Sequence, residues 1–320
     1  MAAAPIPVPL GDFDSKVLAG KTAIVTGAGL DKPMFGHLPV KSKFTPFPSP
    51  TSRLILTFDA YSVYVVIADR DSKSGKQLEL EVPRSKFVQT DVTKWEDQAR
   101  LFEEAAAFSP TKAIHYVIAN AGIAPTDEVF TYEKDGPKKP DLSTIDVNLV
   151  GVLYSAKLSL HYFIKQNGTE AKPNQEDTCL VLIGSGAAFL DVPRGPQYPA
   201  TKWGIRGIMH SMRRTAFYYG SRVNVISPWY IRTPILSKEK YDHVENSGVE
   251  LAEASDAGKA LVHLLSDKTI NGRSFFISPR KWGPEGYCDL GLEELPPNKL
   301  LQEIQKEQIQ SSPIKDGLFI

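Results

Sequence analysis

Short runs of apolar, β-branched residues recur along the chain at Thr22 to Val25, Val63 to Ala68, Lys86 to Gln89, His115 to Ala119, Cys179 to Ile183, Arg222 to Ile226 and Ser274 to Ile277. They are too short for helices and largely lack polar alternation, so they read as strands buried on both faces. Between most of them the apolar positions change to helical spacing, as in Ile145, Leu149, Val152, Ala156, Leu160 and Phe163, and again in Ile205, Ile208, Met212 and Ala216. Strands alternating with helices imply right-handed crossovers and a parallel sheet with helices on both sides. The pattern therefore predicts a doubly wound α/β fold. It spans a single domain over 20–290, with an N-terminal extension over 1–19 and a tail over 291–320.

One stretch breaks the pattern. Leu30 to Ser62 carries Pro33, Pro39, Pro46, Pro48 and Pro50 with lysines and scattered aromatics, and no helical period where a crossover helix belongs. Prolines at this density exclude an ordered helix across the proline-rich part, leaving Phe58 to Ser62 as its only remnant. Ser237 to Gly248 is polar and charged, and reads as a mobile flap. Glu293 to Ile320 reads as a peripheral helix with a frayed tail.

Composition narrows the class without changing the fold. The 320 residues include 37 basic and 37 acidic side chains, 42% hydrophobic residues and 10% aromatics. Such a balance argues against disorder, and gives no field for a nucleic acid or an anionic membrane. Cys179 and Cys288 are too few for a disulfide framework or a cysteine-rich metal site, so a reducing compartment and no metal are expected. The start of the chain lacks a basic stretch followed by an apolar run, and nowhere do 18 apolar residues follow one another; a cytoplasmic protein is expected.

The strand ends carry the candidate chemistry. Gly27 and Gly29, Asp69, Asp91, Asn120 to Gly122, Ser185 and Pro228 each follow a run, and in open α/β sheets ligands bind outside the carboxyl ends of the strands. Small and polar residues end strands anyway, so no single one of them decides the matter. Tyr198 and Lys202 stand four apart at the start of a helical segment and share one of its faces, a pairing that chance alone would produce about once in such a chain. Ser185, flanked by Gly184 and Gly186 and 13 residues before Tyr198, presents a hydroxyl at a strand end. Asn148, inside an otherwise apolar helix, places there an amide that needs partners.

In this order Asn148, Ser185, Tyr198 and Lys202 resemble the Asn, Ser, Tyr-x-x-x-Lys pattern of the short-chain dehydrogenases/reductases. The resemblance runs from about Lys21 to Pro279. It takes in Thr26-Gly27-Ala28-Gly29, Asp69, Asp91-Val92, Asn120-Ala121-Gly122, Pro228 and the later Thr233, with Trp229 where the family usually has glycine. It implies a Rossmann-like fold, an NAD or NADP cofactor, a small-molecule secondary alcohol or ketone as substrate, and assembly as a homodimer or homotetramer. Tyr198 would act as base, activated by Lys202, which would also hold the nicotinamide ribose. Ser185 would bond the substrate oxygen, and Asn148 would support Lys202 through a water. Thr26, Gly27, Gly29, Asp69, Asp91, Val92, Asn120, Ala121, Gly122 and Thr233 would line the cofactor with Tyr198 and Lys202.

A carboxylate at Asp69 accepts bonds from both adenosine ribose hydroxyls and repels a 2′-phosphate, which favours NAD; Arg70 beside it keeps NADP open. Phe189, Trp229 and Tyr230 would make the substrate pocket aromatic and roomy, suited to a bulky lipophilic or polyketide-type substrate like those of similar fungal enzymes. The resemblance fails at one place. Asp69 lies 43 positions after Thr26, against about twenty expected, and Leu30 to Gly36 does not supply the third glycine and helix start that hold a pyrophosphate. The phosphate site is rebuilt, or lost in a catalytically silent protein, or replaced by an imperfect gene model. Normal spacing of every later motif favours the last.

Overall fold

A computed structural model describes residues 13–28, 58, 60–193, 195–233 and 235–311. Seven of its strands lie on the predicted runs: β1 (Thr22–Thr26), β2 (Tyr64–Asp69), β3 (Ser85–Gln89), β4 (Tyr116–Ala119), β5 (Thr178–Ile183), β6 (Ser221–Pro228) and β7 (Ser274–Ile277). An eighth, β8 (Tyr287–Asp289), follows. The order across the sheet is β3-β2-β1-β4-β5-β6-β7-β8. Neighbours pair in parallel up to β7, whereas β8 pairs antiparallel, with Phe276 opposite Cys288. The sequence had not announced this last strand. On it the buried Asp289 is paired with Arg273 at 2.5 Å.

The helices are α1 (Ser72–Glu81), α2 (Trp95–Phe108), α3 (Ser143–Asn167), α4 (Gln197–Met212), α5 (Lys238–Asn246), α6 (Ala254–Ser266) and α7 (Lys299–Gln310). Their termini follow local chemistry: Asp71 caps α1 by accepting from the backbone N–H groups of Lys73 and Ser74, and Gly168 ends α3 at φ +84°. Successive strand residues bury on opposite faces, and both faces are covered. Val25, Ile67, Ile118 and Val181 pack with Leu261, Leu264 and Leu265 of α6. Ile24, Val66, Val117 and Leu180 pack on the other face with Leu101 and Phe102 of α2, Val152 and Ala156 of α3, and Ile205 and Met209 of α4. By length and composition α3 would also pass for a membrane span, yet 44% of its most apolar window is buried inside this fold.

The proline-rich segment from residue 30 lies outside the described residues up to 57. Phe58 and Ala60 are helical, and Phe58 is fully buried in the core, its carbonyl accepting from the N–H groups of Tyr61 and Val63 at 3.1 Å each. Ser237 to Gly248 departs from its reading as a loose flap: α5 fills most of it. Ser237 caps α5 through Lys240, and Arg232 reaches across to pair with Asp242 and Glu245. Glu293 is not part of a peripheral helix either, because it is buried beneath α4, and α7 begins only at Lys299.

Candidate active site

Strand order reverses between β2-β1 and β4-β5, so a crevice opens at the carboxyl edge where the chain leaves β1 and β4 in opposite directions. Thr26 ends β1, fully inside, and its Oγ1 accepts from the backbone N–H groups of Asn120 and Ala121 at 3.1 Å each. The Asn120 amide donates back to the carbonyls of Thr26 and Gly27, at 2.9 and 3.0 Å. The two turns are thus sewn together. Gly27 takes φ +65°, and a Cβ there would lie 2.5 Å from the Ala121 Cα, so no side chain fits. Gly29 falls outside the described residues.

Asp69 and Asp91 stand at the ends of β2 and just beyond β3, both half-buried. Asp69 accepts from the Asp71 N–H at 2.9 Å, and Asp91 accepts from the Thr93 N–H and hydroxyl. Val92 lies against Gly151 of α3, its carbonyl bonded by Gln98 at 2.6 Å. Arg70 is exposed next to Asp69.

Asn148 is fully buried in a stretch of π-helical turn, Asp146–Val150, within α3. Its amide is satisfied at both ends by one residue: Oδ1 accepts from the Ile123 N–H at 2.9 Å and Nδ2 donates to the Ile123 carbonyl at 2.8 Å. The loop leaving β4 is fixed by this pair, with Gly122 packed beside the Asn148 oxygen. The direct partner of the Asn148 amide is therefore the backbone of the β4 loop.

Ser185, Tyr198 and Lys202 do converge. Ser185 leaves β5 and opens the 3-10 turn Gly186–Ala188, its Oγ accepting from the Ala187 N–H at 3.1 Å. Tyr198 sits in the first turn of α4, where burial pushes its phenol above the ordinary value and a hydrogen bond with Ser185 pulls the other way. Lys202, one turn on, is buried with Nζ 5.5 Å from the Tyr198 ring centroid, and donates to the Ile183 carbonyl at 2.8 Å. Burial pulls its ammonium down to about 8. The Lys202 ammonium thus bonds to β5, and burial is the largest influence on the Tyr198 phenol.

Thr233 lies farther along, its N–H donating to the Tyr241 hydroxyl at 3.1 Å, and that hydroxyl donates to the Ile231 carbonyl at 2.6 Å. Tyr230 and Tyr241 are near enough to Tyr198 to raise it electrostatically. Trp229 packs edge-on to Tyr230, Trp282 and Phe276, with centroids 4.9, 5.5 and 6.1 Å away, and Phe276 meets Phe189 at 5.6 Å. Phe276 and Trp282 were absent from the candidate site as read from sequence. So was Asp127, whose carboxylate accepts from the Gln197 N–H at 2.7 Å and so caps α4 just before Tyr198.

A hydroxyl, a phenol and an amine gathered at the carboxyl edge of a doubly wound sheet define an oxidoreductase of the nucleotide-binding α/β class. The family model described as short chain dehydrogenase matches residues 53–243. The chain is 30% identical to 5'-hydroxyaverantin dehydrogenase of Dothistroma septosporum, over 72% of this chain and 79% of that one. It is equally 30% identical to 5'-hydroxyaverantin dehydrogenase stcG of Emericella nidulans, over 71% and 78%, and to NADP-dependent dehydrogenase M3 of a Phoma species, over 82% and 76%. The chain belongs to the short-chain dehydrogenase family, oxidoreductases that act on CH–OH groups with NAD or NADP. The donor set fits such a cofactor on its ribose sides, with carboxylates beyond β2 and β3 and an amine below the phenol; the stretch after Gly29 that would meet the pyrophosphate lies outside the described residues.

Proposed function

We propose that the protein is an NAD-dependent dehydrogenase interconverting a bulky, lipophilic secondary alcohol and its ketone, of the polyketide type handled in fungal secondary metabolism. The observation that carries this is the convergence of Ser185, Tyr198 and Lys202 at the carboxyl edge beside an aromatic wall. A bound nicotinamide would supply the hydride acceptor. The chain's part is proton handling and orientation. Ser185 holds the substrate oxygen, and the Tyr198 phenolate takes the hydroxyl proton during oxidation and returns it during reduction. An ammonium at Lys202 and the positive ring of an oxidised cofactor both favour phenolate, offsetting the burial that raises it. Asn148 holds the β4 loop, and with it Asn120 to Gly122, under the cofactor.

Asp69 favours NAD, supported by its place at the end of β2. The second reading is NADP, favoured by the exposed Arg70 and by the name of the Phoma relative. Phe189, Trp229 and Tyr230, joined by Phe276 and Trp282, suit a flat apolar substrate. We further place the protein in the cytoplasm as a homodimer or homotetramer, pairing through exposed Leu153 and Trp203 on α3 and α4.

The test is calorimetric titration of the purified chain with NAD and with NADP, followed by turnover of aromatic secondary alcohols. NAD is expected to bind more tightly. Tyr198→Phe is expected to lower kcat by about 10²- to 10⁴-fold with cofactor affinity retained. Binding of neither dinucleotide overturns the reading.

A further inference from the structure

Tyr198, Lys202, Arg206 and His210 recur every four residues and so run down one side of α4. The first two belong to the reaction proposed above. The other two meet Glu293, which arrives from beyond β8 with a side chain wholly shielded from solvent. Arg206 donates through Nε to Glu293 Oε1 and Oε2 at 3.0 and 3.3 Å, and through Nη2 to Oε2 and to the Leu292 carbonyl at 3.2 Å each. His210 Nε2 lies 2.5 Å from Oε2. These partners hold the Glu293 carboxyl down at about 2 against the burial that would raise it.

The remaining arm of the guanidinium leaves the cluster. Nη1 donates to the Ala188 carbonyl at 2.9 Å, and the Ala188 N–H donates to the Ser185 carbonyl, also at 2.9 Å. One planar side chain therefore spans from the helix that carries Tyr198 to the turn that carries Ser185. Its fork is rigid, and Glu293 fixes the direction in which it points. A buried ion pair is a weak source of net stability, because desolvation offsets the attraction, whereas geometry is what a saturated fork supplies well.

We propose that Arg206, anchored by Glu293, is a positioning residue that sets the separation of Ser185 and Tyr198. It touches neither substrate nor cofactor and acts through the Gly186–Ala188 turn. The inference rests on the dehydrogenase reading for its kinetic test, and stands on geometry alone for its structural one.

Arg206→Lys keeps a positive charge for Glu293 and cannot reach both Glu293 and Ala188. It is expected to lower kcat roughly tenfold to hundredfold while KM and the cofactor Kd stay within about threefold, since an error of about 1 Å in aligned groups costs that much. Glu293→Gln, which preserves shape and loosens the anchor, should give a smaller loss in the same direction. In a crystal structure of Arg206→Lys the Ser185 and Tyr198 oxygens should have moved apart relative to the parent. Unchanged kcat with a lowered melting temperature would show a strap that only holds the fold, and overturns the inference, as does failure of both variants to fold. If the parent itself turns over no alcohol, the dehydrogenase reading falls, and an unmoved Ser185 in the variant crystal separately overturns the positioning role.

Discussion

Gly27 shows how much one missing side chain decides. A Cβ would press on backbone at Ala121, and the +65° φ is itself costly for any other residue. Gly27→Ala should therefore push the β1 and β4 turns apart; titration calorimetry is expected to show dinucleotide affinity falling at least about tenfold, with a lowered melting temperature. Tyr198, Lys202 and Ser185 were legible because fixed spacing on a helix and a glycine-flanked strand end are local signals. Arg206, Glu293 and Asp127 were not. Each depends on a partner distant in sequence, with 87 positions between Arg206 and Glu293 and 70 between Asp127 and Gln197, and an arginine or carboxylate alone carries no mark of burial. Asn148 was legible as a buried amide, while its partner was not, because Ile123 offers only backbone.

Among elements, the first seven strands were readable from apolar runs; six of them are buried almost throughout and have no polar side to blur the signal, whereas edge strand β3 buries only Val88 fully. β8 escaped because three residues, one of them an aspartate, make no run. α5 escaped for the opposite reason: only Tyr241 of its residues is buried, so helical period had almost nothing apolar to mark. The opening of β4 carries a pH dependence of its own. His115, buried just before β4, accepts the Thr22 N–H on Nδ1 at 3.0 Å, and burial together with Lys21 holds its pKa down at about 4. Unfolding lets it bind a proton near pH 6.5, so between those values the unfolded chain holds more protons and acidification destabilises the fold. Urea unfolding should show about 2 kcal/mol less stability from this group at pH 5 than at pH 7. His115→Gln should flatten that difference.

At the level of the whole chain, β6 is tied to the end of α6 by a saturated cation. Arg222 on β6 is buried, bonds both Asp177 oxygens at 2.7 and 2.9 Å, and donates to the carbonyls of Leu264, Leu265, Asp267 and Ile270 around the end of α6. Arg222→Met would remove the guanidinium donors from the Leu264 and Leu265 carbonyls and the paired cation from the Asp177 carboxylate, while Ile270 and Asp267 keep the Asn224 amide and the Ile270 N–H as donors. Denaturant titration is expected to report a loss of about 3–5 kcal/mol, against a small change for an exposed cation such as Lys238. The margin of the sheet has a different consequence. Beyond β7 the last ribbon is only three residues long, runs the opposite way, and keeps a paired carboxylate inside. So short a border gives a neighbouring molecule too few free amide groups to stitch onto, and the charge punishes any slipped register. Crowded preparations of this protein should therefore resist fibrous stacking along that side.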